Sequence, residues 1–251
     1  MKCAGIIPAR YASTRFPGKP LAIINGVSMI RRVYEQCLKS TSLNIVVVAT
    51  DDERIAEHVR SFNGEVIMTS ANHRSGTDRC NEALTHLSSL YPEQQYDVVV
   101  NIQGDEPFID PVQIDAVTAC FNDEHVDIAT LARTVDTVEE LFNPNAVKVV
   151  RGLQNQALYF SRSTIPFIRG AEQTEWLDKG IFLKHLGLYA YRAPVLKAIA
   201  QLAPGKLEML ESLEQLRWLE NGYRISVELT DKEGVSIDTP DDLAKLTNST
   251  W

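Results

Sequence analysis

The first half of the chain alternates continuously apolar runs with segments of helical periodicity, and this alternation restricts the possible folds more than any other feature. The apolar runs at 3–7, 44–50, 64–68 and 97–102 are typical of strands that are buried on both faces. Helical patterns separate them; at 28–39, for example, apolar residues recur every three or four positions with charges between them. Such an alternation predicts an α/β fold with a mainly parallel sheet and helices on both faces.

The second half contains the same kinds of element in a less regular order. Its patterns predict strands at 128–132, 146–150, 157–161, 184–191 and 225–229, and helices at 208–219 and 240–246. Thr239 is the predicted N-cap of the last helix. Because the sequence has no internal repeat, low-complexity segment or long linker, we expect one domain over 1–251, with a dimerisation subregion inserted at about 140–200.

The charge balance argues against general binding to nucleic acid, because the 251 residues carry a net charge of −8. No run approaches the roughly 18 apolar residues of a membrane span, and the apolar run at 3–7 is too short for a signal peptide. The cysteines are widely separated and lack zinc-ligand spacing, so we expect reduced thiols in a cytoplasmic protein. They are Cys3, Cys37, Cys80 and Cys120.

The loop after the first strand, at 8–20, contains three cations: Arg10, Arg15 and Lys19. Open α/β sheets bind ligands at strand ends, and clustered Arg and Lys side chains suit a polyanion. Gly18 would let backbone N–H groups approach phosphate oxygens. The alternative is a solvated basic loop. The sequence lacks the G-x-x-x-x-G-K-[ST] and G-x-G-x-x-G patterns, so side-chain cations would be the main phosphate ligands.

Two aspartates, Asp105 and Asp238, each directly follow a predicted strand that contains apolar residues, and each precedes a predicted helix. Each could cap that helix, or the pair could hold one Mg²⁺ ion, which needs only one or two carboxylates when phosphates supply other ligands. We favour the metal, because a carboxylate without one would weaken the binding of a polyanion to the cationic loop. The sequence shows no Ser-His-Asp pairing and no H-E-x-x-H motif, which favours direct displacement at phosphorus.

Several weaker candidates lie near predicted strands or helix ends. Ser75 and Gly76 precede a helical pattern, and a helix N-terminus there could bind an anion or a polar heterocycle. Simple capping by Ser75 or Thr77 explains the same residues equally well. The other candidates are each more often surface or structural residues than substrate ligands. They are Arg162, His185, Glu211, Glu214 and Gln215.

A series of motifs along nearly the whole chain resembles the cytidylyltransferases that activate acidic sugars. The segment IIPARYASTRFPGKPL at 6–21 is similar to the opening motif of that group. Later motifs narrow the resemblance to the 3-deoxy-manno-octulosonate (KDO) cytidylyltransferase family. They lie at 49–51, 73–79 (HRSGTDR), 101–107 (NIQGDEP), 143–148, 159–162, 185–189 (HLGLY), 213–217 and 235–240 (VSIDTP).

The resemblance implies a Rossmann-like nucleotidyltransferase fold of the nucleotide-diphospho-sugar transferase type, and a cytoplasmic homodimer. It implies transfer of CMP from CTP to KDO with release of pyrophosphate, on the route to lipopolysaccharide, with Mg²⁺ as the cofactor. The inserted subregion at about 140–200 would then contribute to both dimerisation and sugar binding.

Carried over motif by motif, the family's functional residues fall into overlapping sets. The resemblance implies catalytic roles for Arg10, Lys19, Asp105 and Asp238, with the two aspartates as Mg²⁺ ligands. It implies that CTP is bound by Ala9, Arg10, Lys19, Ser75, Gly76 and Gln103. It implies that the sugar is bound by Arg15, Gln103, Arg162, His185, Tyr189, Glu214 and Gln215.

Other functions are compatible with the sequence. The substrate could be another acidic sugar, such as sialic acid or 8-amino-KDO, because these motifs do not report the exchange of one hydroxyl for an amino group. The chain could also be a nucleotide-binding regulator that has lost catalysis, although a regulator would not need both Asp105 and Asp238. A purely structural α/β subunit would leave the cationic loop unexplained.

Overall fold

The computed structural model describes residues 1–13 and 15–248; Thr14, which belongs to the opening motif, lies outside the described residues. The strands are β1 (Cys3–Ala9), β2 (Ile23–Ile24), β3 (Val27–Ser28), β4 (Leu43–Thr50), β5 (Val66–Met68), β6 (Val98–Asn101), β7 (Ile128–Thr134), β8 (Lys148–Arg151), β9 (Ala157–Ser161), β10 (Leu183–Arg192) and β11 (Ile225–Leu229). The α-helices are α1 (Met29–Cys37), α2 (Glu53–Ser61), α3 (Gly76–Leu90), α4 (Pro111–Ala119), α5 (Val138–Phe142), α6 (Trp176–Lys179), α7 (Ala193–Ile199), α8 (Lys206–Glu211), α9 (Glu214–Glu220) and α10 (Pro240–Asn248).

Most of the described strands form one sheet in the order β11-β7-β10-β6-β1-β4-β5, to which β8 and β9 are added beside β10. The pairs β1–β4, β1–β6, β4–β5 and β11–β7 are parallel. β10 runs against its neighbours β6, β7 and β8, and β8 and β9 form an antiparallel pair. The predicted mainly parallel sheet is confirmed, although the sequence patterns did not reveal the reversed direction of β10.

The order of the strands reverses at β1. The chain adds β4 and then β5 on one side of β1, and afterwards returns to place β6 on the other side. β1 and β6 are paired from Cys3 with Val98 to Ile6 with Asn101, so the loops that follow them leave the same edge of the sheet. A reversal of this kind opens a crevice at the carboxyl ends of the strands, where open α/β sheets bind their ligands.

Helices cover both faces of the sheet, as the sequence predicts. α1, α2 and α4 bury residues such as Ile30 and Ile55 in one layer. α3, α7 and α9 bury residues such as Leu87, Leu196 and Leu216 in the other. Alternate residues of β1 contribute to the two layers, which explains why this strand is continuously apolar.

The excursion between β7 and β10 contains α5, β8, β9 and α6 and has a small core of its own. Val135, Leu141, Trp176 and Phe182 are buried together there. The rings of Trp176 and Phe182 stack with their centroids 6.1 Å apart. This excursion overlaps the insertion predicted at about 140–200, whose role in dimerisation stays a prediction.

The single helix predicted at 208–219 is wrong, because α8 and α9 are separate helices. Ser212 between them has a left-handed backbone with φ of 52°. Arg162 donates from Nε to the carbonyl of Glu211 (2.6 Å) and from Nη2 to the carbonyl of Ser212 (3.3 Å). An arginine distant in sequence thus satisfies the C-terminal carbonyls of α8, and a local periodicity pattern contains no sign of it.

The strand predicted just before Asp238 is also wrong. The described segment 230–238 has no regular secondary structure and is fastened to the sheet edge by a hydrogen bond from Ile237 N to the carbonyl of Asp105 (3.0 Å). The predicted cap of the following helix is confirmed, since Asp242 N donates to Thr239 Oγ1 (3.2 Å). Separate contacts, among them a second backbone bond from Thr230 N to the carbonyl of Ala132 and an ion pair of Glu233 with Arg133, hold this segment in place of a strand ladder.

The cysteines are free thiols, in agreement with the sequence analysis. Burial raises the pKa of Cys120 to about 11, so this thiol is protonated at neutral pH.

Among the described helices, none combines the length and the apolar character needed to cross a lipid bilayer.

A buried ion pair fastens α3 to the carboxyl ends of β4 and β5. Nη2 of the fully buried Arg79 lies 3.0 Å from Asp51 Oδ1, just after β4. Nη1 donates to Thr69 Oγ1, just after β5, over 2.6 Å. Burial lowers the pKa of Arg79 and the Asp51 charge opposes that effect, so the charged guanidinium depends on this carboxylate.

We expect Asp51→Asn to lower the free energy of unfolding by about 3 kcal/mol, because it leaves the Arg79 guanidinium buried without a counter-charge. Urea unfolding followed by circular dichroism measures the change. Asp178→Asn, at an exposed position, is the matched control and is expected to change stability by less than about 0.5 kcal/mol. Equal stability of the two variants would contradict the importance of the ion pair.

Candidate active site

A cavity of about 370 Å³ occupies the crevice between the loops that follow β1 and β6. The β1 loop contributes Ala9, Arg10, Arg15 and Lys19 to its lining, and the β6 loop contributes Gln103, Gly104 and Asp105. The structure therefore brings together most of the residues predicted to bind a nucleotide. A larger cavity of about 850 Å³ lies at the opposite edge of the sheet, between α3 and the start of α7, and contains none of the predicted site residues.

Lys19 lies between the two predicted metal ligands. Its Nζ donates to Asp105 Oδ2 over 2.6 Å and to Asp238 Oδ1 over 3.4 Å. Arg15 Nη2 also donates to Asp238 Oδ1 (3.2 Å). The carboxylates of two remote segments thus converge on one cationic atom, as the sequence analysis expected for a shared cation.

Neither aspartate caps a helix, so the alternative interpretation of these residues is excluded. The side chain of Asp110 caps α4 by accepting from Val112 N, and the hydroxyl of Thr239 caps α10.

A Cβ on Gly104, beside Asp105, would lie 3.0 Å from the carbonyl oxygen of Pro8, so only glycine allows the β6 loop to approach β1 this closely without a shift.

The geometry fits a divalent cation that completes its shell with substrate oxygens. The described residues contain no group of three or more His, Cys, Asp or Glu side chains able to hold a metal. Two carboxylates that already meet at one cation are the number Mg²⁺ needs when phosphates and waters supply the rest. Burial, assisted by the Asp105 and Glu233 charges, raises the pKa of neighbouring Glu106 to about 7, which limits the negative charge at this edge.

The arginines of the β1 loop remain available to an anion. Arg10 is exposed and makes a long hydrogen bond from Nη1 to the carbonyl of His73 (3.4 Å). The side chain of Arg15 is 68% exposed even though it contacts Asp238. Arg54, on α2, is not available in this way, because its guanidinium stacks on the ring of Tyr11 at 3.3 Å from the centroid. This contact joins α2 to the β1 loop.

The N-terminus of α3 lies beside the cavity. Ser75 caps this helix by accepting from Asp78 N (3.2 Å), and the Asp78 carboxylate accepts in return from Ser75 N (3.2 Å). A Cβ on Gly76 would lie 3.5 Å from both Pro8 and the side chain of Asn101, so the backbone here packs on the ends of β1 and β6. Capping by Ser75 is confirmed, and it leaves the first turn of the helix next to the crevice.

Gln103 connects the cavity to the predicted sugar-binding residues of β10. Its Nε2 donates to the carbonyl of Gly187 (3.1 Å), at an irregularity in the pairing of β10 with β7. His185 and Tyr189 flank this point, and their rings lie 5.2 Å apart. The His185 ring also contacts Phe160 edge-on at 5.1 Å, so these side chains form a largely buried aromatic cluster that adjoins Gln103 and is not part of the cavity lining.

Burial sets the protonation state of the His185 and Tyr189 side chains. It lowers the pKa of His185 to about 3, so the imidazole is neutral near pH 7. A hydrogen bond of 3.0 Å joins His185 Nε2 to Thr130 Oγ1. Burial raises the pKa of Tyr189 well above its usual value. Both rings therefore offer neutral hydrogen-bonding groups, which suit a polyhydroxylated ligand.

Glu214 and Gln215 are the first residues of α9, and Gln215 is buried. Thr77 Oγ1 donates to Glu214 Oε2 (2.8 Å), and Arg217 Nη2 donates to Glu214 Oε1 (2.7 Å). Burial raises the pKa of Glu214, and these donors oppose that effect. The sequence analysis considered Thr77 only as an alternative cap of α3, and the structure gives that cap to Ser75.

Arg162 does not face the cavity with a free guanidinium in this structure. Besides the two carbonyls at the end of α8, it donates from Nη1 to the carbonyl of Pro144 (3.2 Å). Glu211 accepts from Ser161 Oγ (2.7 Å) and from Arg162 N (2.9 Å). These contacts join β9 to the α8–α9 junction, so a structural role accounts for the position of Arg162.

Comparisons with known proteins identify the family of the chain. Residues 4–225 match the family model for cytidylyltransferases. A relative from Parabacteroides distasonis, named 3-deoxy-manno-octulosonate cytidylyltransferase, is 58% identical over 249 residues, which cover 98% of this chain and 96% of the relative. A relative of the same name from Cytophaga hutchinsonii is 49% identical, over 97% of this chain and 96% of its own.

The solved structures give the same result at the level of the fold. The structure of a CMP:2-keto-3-deoxy-manno-octonic acid synthetase complexed with CTP superimposes with a TM-score of 0.87 at 40% identity, over 98% of this chain and 97% of its own. A cytidylyltransferase from Leptospira borgpetersenii has a TM-score of 0.62 at 18% identity, over 98% of this chain and 85% of its own, and shares the fold.

We expect the stability of the protein to fall below about pH 6.5 in part because of His185. The folded pKa of about 3 lies below the unfolded value of about 6.5, so the unfolded state binds the extra proton as the pH falls. Between pH 7 and pH 5 this effect removes about 2 kcal/mol of unfolding free energy.

Urea unfolding at a series of pH values, in wild type and in His185→Gln, measures this contribution. The variant should lose about 2 kcal/mol less than wild type between pH 7 and pH 5. His125→Gln, at an exposed position, is the matched control. Parallel curves for wild type and His185→Gln would show that the imidazole is not held neutral.

Proposed function

The chain belongs to the 3-deoxy-manno-octulosonate cytidylyltransferase family, and from this membership we propose that it transfers CMP from CTP to KDO and releases pyrophosphate. It is a cytidylyltransferase by the match of its family model over 4–225. The relatives that carry the KDO name cover nearly the whole chain. The activated sugar would serve lipopolysaccharide synthesis, and we place the reaction in the cytoplasm.

The observation that carries this proposal is the meeting of Lys19, Asp105 and Asp238 at the mouth of a cationic cavity. A nucleoside triphosphate needs cations for its phosphates, and a metal-assisted transfer needs carboxylates beside them. The cleft offers both within a few ångströms. Gln103 in the cavity lining is hydrogen-bonded to Gly187, which lies between the neutral side chains of His185 and Tyr189, and we assign the sugar acid to this side.

In the proposed reaction the anomeric hydroxyl of KDO attacks the α-phosphorus of CTP and releases its proton, and the bond from that phosphorus to the oxygen that bridges it to the β-phosphate breaks. Arg10 and Lys19 bind the phosphates and stabilise the charge of the departing pyrophosphate. Ala9, Ser75 and Gly76 seat the cytidine where α3 begins, and Gln103 lies between nucleotide and sugar. The protein acts chiefly by positioning the two substrates, as expected for displacement at phosphorus.

Asp105 and Asp238 would hold Mg²⁺, whose charge neutralises the phosphates when it is bound. Lys19 then faces phosphate oxygens in place of these carboxylates. The sugar is bound by Arg15, His185, Tyr189, Glu214 and Gln215. Arg162, with its guanidinium occupied by backbone carbonyls, contributes by fixing the α8–α9 junction or by releasing one of those bonds to the sugar carboxylate.

We also propose that the protein is a homodimer. Large apolar side chains are exposed on and near the excursion, including Leu153, Leu158, Phe167 and Leu210. Burial of such a surface against a second copy would remove it from water. This surface supports the dimerisation subregion that the sequence resemblance implies at about 140–200.

Pyrophosphate release with CTP and Mg²⁺ tests the activity, with KDO, 8-amino-KDO and sialic acid compared in parallel. We expect release with KDO. Release only with another sugar would support the reaction type but would show that the pocket binds that sugar in place of KDO. Binding of CTP without release for any sugar would favour a regulatory protein instead.

We expect Asp105→Asn to reduce turnover by at least about a hundredfold while the fold stays intact, because the variant keeps the shape and loses a metal-binding charge. Pyrophosphate release measures turnover, and thermal unfolding verifies the fold. Asp123→Asn, exposed at the other edge of the sheet, is the control. Activity of Asp105→Asn within about threefold of wild type would refute the metal assignment.

Light scattering after size-exclusion chromatography tests the dimer, with a mass of twice 28.1 kDa expected. Leu210→Glu places a charge on an 83% exposed apolar position near the excursion and should shift the mass towards one chain. Leu90→Glu, at a 65% exposed leucine at the end of α3, is the control. A single-chain mass for wild type would overturn the proposed dimer.

A further inference from the structure

Thr77 connects two parts of the cleft that come from distant segments of the chain. It is the second residue of α3, next to Gly76, whose backbone packs against Pro8 at the cavity. Its side-chain Oγ1 donates to Glu214 Oε2 over 2.8 Å. Thr77 is 1% exposed, so this hydrogen bond is shielded from water at the threonine.

The hydroxyl of Thr77 is not required by the helix that contains it. Ser75 and Asp78 satisfy the start of α3 with their own reciprocal hydrogen bonds. A buried hydroxyl lowers stability unless it finds a partner, and the partner here is the carboxylate of Glu214. The contact is therefore a bond between elements, made by a residue that local structure does not need.

The carboxylate of Glu214 is oriented by one donor on each oxygen. Thr77 holds Oε2, and Arg217 Nη2 holds Oε1 over 2.7 Å. Arg217 lies on α9 with Glu214, whereas Thr77 lies on α3, whose Arg79 is bonded to Thr69 at the end of β5. Thr77 is thus the donor that ties the carboxylate to the nucleotide side of the cleft.

We propose that Thr77 is a positioning residue, which fixes the orientation of the Glu214 carboxylate towards the sugar relative to the start of α3. The inference rests on the proposed function, in which α3 begins at the cytidine and Glu214 binds KDO. Without the hydroxyl, Glu214 loses its bond to Thr77 and keeps Arg217 on its own helix and the interaction with the Ser75 side chain. Its carboxylate can then rotate, and binding of the sugar weakens while the nucleotide site is unchanged.

Steady-state kinetics of pyrophosphate release tests this role in Thr77→Val, which replaces the hydroxyl by a methyl group of similar size. We expect the KM for KDO to rise about tenfold, because the hydrogen bond is to a charged group, and the KM for CTP to stay within about twofold. Thr77→Ser keeps the donor and should restore the KM for KDO to within about twofold of wild type.

The controls separate positioning from a loss of structure. Thr85→Val makes the same change on the same helix, at a threonine whose hydroxyl donates only to the carbonyl of Asn81, and should leave both KM values unchanged. Thr77→Ala, which removes the hydroxyl without adding a methyl group, is measured alongside in case Thr77→Val does not fold. Melting temperatures verify that each variant is folded.

The double variant Thr77→Val/Glu214→Ala completes the test, because alanine removes the acceptor to which Thr77 donates. If Thr77 acts through Glu214, the double variant should have the KM for KDO of Glu214→Ala alone. Additive effects, equal rises in both KM values, or a Thr77→Ser variant as impaired as Thr77→Val would each overturn the positioning role. A normal KM for KDO in Glu214→Ala, or no release by wild type, would instead overturn the proposed sugar site and this role with it.

Discussion

The parallel pairing of β1 with both β4 and β6 is the constraint from which the rest of the structure follows. Because the chain leaves β1 in one direction and later returns on its other side, the loops after β1 and β6 diverge and open a crevice. The cationic loop and Asp105 face each other there as a consequence of strand order alone. Later elements complete this crevice: β10 beside β6, and the segment before α10 across its end.

The charges of the crevice depend on one another. Two carboxylates held near one point repel, and at an effective dielectric constant of about 20 two unit charges 4 Å apart interact by about 4 kcal/mol. Lys19 relieves that repulsion by contacting both Asp105 and Asp238. The protein as a whole has a net charge of −8, so the attraction for an anionic substrate comes from this local cluster and from exposed Arg10 and Arg15.

The sequence predicted the first half of the fold well, because its strands are buried on both faces and its helices are amphipathic. Both properties are local, and they suffice for an alternating parallel sheet. The sequence predicted poorly those elements whose structure depends on contacts with residues distant in the chain. The reversal of β10 depends on its neighbours in space, the break at Ser212 depends on Arg162, and the segment before Asp238 is held by a bond to Asp105. None of these contacts leaves a periodic pattern.

The candidate site shows the same difference between residues found from local patterns and residues placed by distant contacts. Lys19 and Asp105 follow directly from two strands, so a motif beside an apolar run was enough to find them. The proposed sugar-binding residues are positioned by contacts between separate elements, such as Gln103 with Gly187 and Thr77 with Glu214. A side chain whose role is to orient another has no chemistry of its own for a sequence to reveal. Such residues become visible only when the distance to the partner is known, and they determine how precisely the second substrate can be placed against the first.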